Sequence, residues 1–231
     1  MTGEGLHRFR IGYGTVVSAC ASSNRRHAPG WSTSLVSTSD VFTVQRCSDD
    51  PEYRARLIHT ARVLADVDQR GAERFVALED DGESTTLVTR YAGGRSLASA
   101  VPRRASRLAA VGAGLVRTLV GLHAVGVTHG PVAASQVRFG SRFEPVLCGF
   151  DRGDLHPTDD QRSWRADRAI DVQSVGVLLG ALLGDASRRA SDPIEHVDRR
   201  RLRRVSRRIA AGDLVEATAT LAGLERISFA G

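Results

Sequence analysis

Two apolar runs, Leu108–Val127 and Val172–Leu183, bracket a polar, turn-rich passage, Thr128–Asp151, which reads THGPVAASQVRFGSRFEPVLCGFD. No other feature constrains the chain as much. Arg117 and His123 interrupt the first run, and the second is shorter than the roughly 20 residues a membrane span requires. Both therefore read as apolar core segments, with the polar passage as the connection between them. No membrane span is expected.

The chain has 231 residues, enough for one domain or two lobes with a sizeable core. Hydrophobic residues make up 42% and charged residues 25%, which excludes a wholly disordered chain. There is no lysine, so all 32 basic residues are arginine, and the net charge is +6. Exclusive use of arginine reads as the mark of a GC-rich genome. A basic balance raises the question of nucleic acid, yet 26 acidic residues are interspersed over most of the length. Cys20, Cys47 and Cys148 are widely spaced, form no C-x-x-C pair and sit in apolar surroundings, as buried free thiols in a reducing compartment do. The opening MTGEGLHRFRIG lacks the apolar core of a signal peptide. A cytoplasmic, untethered protein is expected.

Periodicity sets the elements. Leu6–Ala21 alternates like a hairpin around Gly12 and Gly14. Asn24–Asp40 is serine- and turn-rich and reads as an exposed loop, with extra strand structure around Ser34–Ser37. Val41–Cys47 is a strand. Asp50–Asp66 is a helix, with Asp50 as cap, Pro51 in the first turn and Leu57, Leu64 and Val67 as its stripe. Arg74–Leu78 and Thr85–Tyr91 form two antiparallel strands around DDGES. Helices follow at Ser106–Val125, Ala169–Leu183, Asp198–Ala211 and Leu214–Ile227.

In this order and spacing the segments resemble a bacterial, actinobacterial-type serine/threonine protein kinase, from about Gly12 to Ile227. LVGLHAVGV (Leu119–Val127) is similar to the helix end that leads into the catalytic loop H-R-D-L-K-P-x-N, which a short hairpin separates from D-F-G. GYGTV resembles the end of the glycine-rich loop. DPEYRARLIHTAR resembles the family helix DPE-F-R-x-R-F-x-x-E-A-R, and LVTRYAGGRSL resembles the hinge L-V-x-E-Y-x-x-G-x-S-L. Asp171 and Gly176 match the D-x-x-x-x-G of the central helix. The resemblance implies an α+β, two-lobed fold. Residues 1–91 would be a small antiparallel, β-rich N-lobe and 92–231 a mainly helical, truncated C-lobe, together one kinase-like domain. The activation segment would be short, with no A-P-E before Ala169.

The same resemblance implies that the chemistry is gone. The place of the phosphate-binding lysine falls on Gln45 or Arg46, and its partner glutamate on Thr60. Pro131 takes the catalytic aspartate, Ala133 the loop lysine, Gln136 the metal-binding asparagine and Gly149 the aspartate of D-F-G. Phosphoryl transfer needs a carboxylate near the acceptor, metal ligands and a cation on the phosphates; these positions supply neither carboxylate nor lysine, and Gln136 could coordinate Mg²⁺ only weakly, through its amide oxygen. His129 keeps the histidine place, in a packing role, and Asp171 the place of the carboxylate that binds loop amides. Thr89, Arg90 and Tyr91 fall in the hinge, where backbone amides could accept an adenine. Weak, metal-independent nucleotide binding therefore stays open, while no cofactor and no metal is expected.

The expected function is that of a catalytically inactive pseudokinase, a scaffold or regulatory module that binds protein. One alternative is a nucleotide-binding enzyme that uses the relocated acids Asp151 and Asp154. Another is an arginine-rich, nucleic-acid-associated protein. In DRRRLRRVSRRIA (Asp198–Ala210), however, Leu202, Val205 and Ile209 make a helical core stripe, the arginines fall on the solvent face, and no aromatic is interleaved for base stacking. Nucleic acid is not the expected partner. Ser37 and Thr38, in a loop that an active kinase could phosphorylate, and Arg200, Arg203 and Arg207 are the candidate partner-binding residues. An active serine/threonine kinase or a phospho-binding protein is the expected kind of partner.

Overall fold

The computed structural model of the chain describes residues 7–11, 15–19, 31–37, 41–47, 50–65, 67–140, 143–156, 161–186 and 193–212. The chain divides into two compact units, Met1–Asp68 with Glu73–Tyr91, and Gln69–Ala72 with Ala92–Gly231. The fold is α+β, with small antiparallel sheets and four helices among the described residues.

In the first unit, β1 (His7–Ile11) and β2 (Thr15–Ala19) form an antiparallel pair. A four-stranded antiparallel sheet follows, built from β3 (Trp31–Ser37), β4 (Val41–Cys47), β5 (Phe75–Asp80) and β6 (Thr85–Arg90) in the order β3-β4-β6-β5. Helix α1 (Pro51–Ala65) joins β4 to β5. It starts where the residue types require: Asp50 Oδ1 accepts the Tyr53 N–H at 3.0 Å, and Pro51 occupies the first helical position, where no N–H is needed. Side chains alternate across the sheet. Phe42 and Val44 pack with Val88 on one face, and Cys47 and Leu87 pack with Leu57 and Ala61 of α1 on the other. A bulge between Phe75 and Ala77 puts Phe75 and Leu78, three residues apart, on the same α1-covered face.

The serine-rich stretch was expected to be an exposed loop with extra strand structure around Ser34–Ser37; the strand is there and is longer, from Trp31 to Ser37, paired along its whole length with β4. Trp31, Leu35 and Val36 give it strand character, and β4 supplies partners for its backbone, so the serines do not keep it out of the sheet. Ser37 lies opposite Val41 in the ladder and is not a loop residue. Thr38 falls outside the described residues, as do Gly12, Gly14, Cys20 and the segment expected as a helix at Leu214–Ile227.

The second unit is built on α2 (Ala105–Ala124). Leu108, Leu115, Leu119 and Leu122 recur at helical spacing and are buried. Each contributes on the order of 1.5–3 kcal/mol by leaving water. By length and composition α2 is apolar enough to cross a membrane, and 67% of that stretch is buried inside the protein. Short strands follow it or flank it: β7 (Arg95–Ser96), β8 (Val127–Thr128), β9 (Val137–Phe139), β10 (Pro145–Leu147) and β11 (Asp154–Leu155). Then come α3 (Gln161–Ala186) and α4 (Pro193–Ala210). Helix α3 begins eight residues ahead of the expected Ala169. The polar start QRSWRAD is helical because Trp164 packs against the rings of His123 and His156, at 5.6 and 5.0 Å between centroids. Gly176 lets α4 come close: a Cβ there would lie 2.5 Å from the backbone N of Ala210 and 2.8 Å from the carbonyl of Ser206. Residues 69–72, read as part of the first lobe, belong to this unit. Ala72 bridges Leu147 in parallel, the Leu147 N–H donates to Gly71 O at 2.7 Å, and Thr118 Oγ1 lies 3.5 Å from Arg70 O.

The turn between β5 and β6 ties stability to pH. The Arg54 guanidinium, the Thr85 hydroxyl and the Gly82 N–H lower the Asp80 carboxyl below its ordinary 3.8. The Ser84 and Glu83 N–H groups do the same for Asp81. Carboxyls lowered by folding stabilise the fold above the ordinary carboxylate range, and this contribution is lost as pH falls toward the lowered values. Asp81→Ala should therefore be less stable than the parent at neutral pH and lose less on acidification. Circular dichroism melts across an acid series check this; parallel curves for parent and variant would refute it.

Candidate functional site

The polar passage after α2 is closed at its ends. Strand β8 pairs with β11, Val127 opposite Leu155 and Thr128 opposite Asp154, so residues 129–153 leave and return at one place. Within it, β9 and β10 form a hairpin, and β7 adds to the far edge of β9.

Asp171, near the middle of α3 and fully buried, organises the start of this loop. Its Oδ2 accepts the His129 N–H at 3.0 Å and its Oδ1 the Gly130 N–H at 2.7 Å. His123 of α2 places Nε2 2.8 Å from the same Oδ2. One turn further along α3, Ser174 Oγ donates to Asp171 O and accepts the Val132 N–H at 2.8 Å. A carboxylate survives burial only when its lone pairs are satisfied in this way. His129 is also buried, with its ring edge against Phe150 at 4.8 Å and Nε2 3.1 Å from Cys148 O. Its surroundings are those of a packing residue.

Downstream, Gln136 serves the backbone. Pro131 and Ala133 are exposed. Gln136 closes the short helical turn Ala134–Gln136: its Oε1 accepts the Ala133 N–H at 2.8 Å and its Nε2 donates to Gly149 O at 3.1 Å. The structure thus brings Gln136 and Gly149 together, and both ends of the Gln136 amide are engaged in holding the loop. Gly149 has φ +79°, and a Cβ there would sit 3.1 Å from Gln136 Cγ. Asp151 and Asp154 are exposed, and Asp154 Oδ1 accepts the N–H of its own neighbour Leu155. Among the described residues no group of three or more His, Cys, Asp or Glu side chains could hold a metal ion.

The first unit holds the other candidates. Gln45 lies opposite Leu87 and shares the sheet face covered by α1; Arg46 is on the opposite face, with Nη2 bonded to Ser84 Oγ at 3.1 Å. Thr60 is buried on α1. Thr89 Oγ1 donates to the buried Glu73 carboxylate at 2.8 Å, and the Arg90 N–H donates to Arg74 O. That amide is therefore engaged. Tyr91 is half-buried. On α4 of the second unit, Arg200 and Arg207 are exposed, whereas Arg203 is half-buried and is not a free surface arginine.

Three residues of this framework escape a reading of the sequence. His123 reads as an interruption of an apolar run, yet it falls on the buried stripe beside Leu119 and Leu122, which was the available signal. Ser174, one turn after Asp171, could have been found by helical spacing. Glu73 offered no signal, because its partner Thr89 is made adjacent only by the sheet register. No protein-family model matches this chain, and a search of curated proteins finds no match.

The geometry predicts the consequence of removing the anchor. Asp171→Ala leaves two amides and an imidazole without their acceptor and should cost about 3 kcal/mol, and Asp171→Asn, which keeps one acceptor, about half of that. Urea unfolding measures both. Parent-like midpoints for the pair would show that the carboxylate does not hold the loop.

Proposed function

We propose that this chain is a degenerate protein kinase-like module, a pseudokinase, that acts by binding another protein and not by transferring phosphate. The observation that carries the reading is Gln136. At the place of the metal-binding asparagine, both functions of its amide are bonded to backbone, while Gly149 and Pro131 offer no carboxylate. The order strand, helix, strand, strand in the first unit supports the kinase-like part, as do the long helix and the loop held by Asp171 in the second. A loop that keeps its anchor and lacks its reactive side chains retains a shape without the chemistry. Its surfaces are then what remains for function, and the exposed arginines of α4 are the best of them. A cytoplasmic site of action accords with this reading.

Purified protein should label neither itself nor a generic acceptor protein with γ-phosphate above a mock preparation. Mg²⁺-ATP should produce no metal-dependent rise in melting temperature, since Gly149 has no carboxylate to hold the metal and the Arg46 guanidinium is bonded to Ser84 Oγ. Transfer that disappears on Asp151→Ala would instead identify an enzyme with relocated acids and overturn the proposal.

A further inference from the structure

We infer that the exposed arginines at the start of α2 and along α4 form one docking surface, and that it takes an acidic segment of a partner protein. The inference rests on the reading of the chain as a binding module. Arg199 Nη2 donates to Arg103 O at 2.6 Å, which ties the flank of α4 to the residues just ahead of α2. Arg103, Arg104 and Arg107 are exposed there. On α4, Arg200, Arg204 and Arg207 are exposed at i, i+4 and i+7, a single ridge of the helix. The two groups are far apart in sequence, and neither alone is extensive.

Little of opposite sign stands against them. Residues 84–143 contain eight arginines and no aspartate or glutamate. Among the described side chains of α4 the one carboxylate, Asp198, is buried. Helix α2 begins with no acidic residue in its first turn and no side-chain cap, so the positive end of its dipole adds to the arginines. A surface on which basic side chains predominate attracts a polyanion, and the guanidinium fork suits the two oxygens of a carboxylate. A polypeptide is favoured over nucleic acid by the apolar side chains that flank the charges. Val197, 47% exposed, stands on the same ridge three residues before Arg200, and Val101 and Pro102 are partly exposed beside Arg103. These contacts receive apolar side chains of a peptide, and neither segment offers a Phe, Tyr or Trp for stacking bases.

The test is fluorescence anisotropy with a short labelled peptide of alternating glutamate and leucine, and with duplex DNA as competitor. The peptide should bind the full chain, more weakly as salt is raised. Replacing either Arg103, Arg104 and Arg107 or Arg200, Arg204 and Arg207 by glutamate should weaken it by about tenfold, as the loss of three exposed pairs would. The same sets changed to glutamine, checked by melting temperature, keep the test valid if charge reversal unfolds the protein. An effect from one set only would overturn the composite surface. Absence of binding, or indifference to both sets, would overturn the surface altogether. Displacement by DNA at lower concentration than unlabelled peptide would assign it to nucleic acid. A phosphotransfer assay on the same preparation separates the two claims: lost peptide binding without transfer sinks this surface alone, and transfer sinks the pseudokinase reading whatever the peptide does.

Discussion

The Asp171 carboxylate is the interaction on which the second unit's polar loop depends. A single side chain from α3 meets two consecutive loop amides and an imidazole from α2, all within 2.7 to 3.0 Å. A buried carboxylate without partners would be costly enough to drive its own protonation, and three donors aimed at it turn that cost into a specification of geometry. The constraint is reciprocal. The amides of His129 and Gly130 have no strand or helix partner of their own, so carboxylate and loop each satisfy what the other would leave orphaned. Ser174 extends the same logic by one turn, linking Val132 back to the helix that carries Asp171.

The hairpin end of the loop is closed by a different chemistry. Gln136 accepts a hydrogen bond from one backbone group and donates one to another, across 13 residues of chain in the second case. A terminal amide can do both, and in glutamine it stands one methylene further from the backbone than in asparagine. Gly149 fits the same account, because its left-handed backbone presents its carbonyl to Gln136 without a side chain in the way.

How far the fold was legible depended on whether the decisive contact was local. Strand β4 and helix α1 followed from residue type, a cap and a stripe, and α2 from its apolar run, because period and capping act within a few residues. Only the end of strand β3, around Ser34–Ser37, was legible; its full length from Trp31 was obscured by serines, which mark a loop when read alone and are tolerated once β4 supplies a ladder. The early start of α3 depends on Trp164 finding two histidines from elsewhere in the chain. Residues 69–72 join the second unit through a bridge to Leu147, a pairing with no local trace. At the site, Asp171 and its place in a helix could be read from motif spacing. Its histidine partner on α2 left only an indirect trace, a place on the apolar stripe of that helix, which does not tell what the ring meets. The engagement of Gln136 left none, being a matter of the loop's path.

Charge distribution adds a constraint that residue counts conceal. The chain's 26 acidic residues leave the whole of 84–143 uncovered, although arginines continue through it. Carboxylates close in sequence are the usual means by which a protein neutralises its own exposed guanidinium groups, and this stretch has none to offer. Neutralisation must then come from elsewhere in the chain, from salt, or from another molecule. For α2 the interior is settled by leucines and needs no charge, so the arginines at its start contribute little to the core. Fold stability gains nothing from like charges held close together, so the arginines beside α4 are not explained by the core.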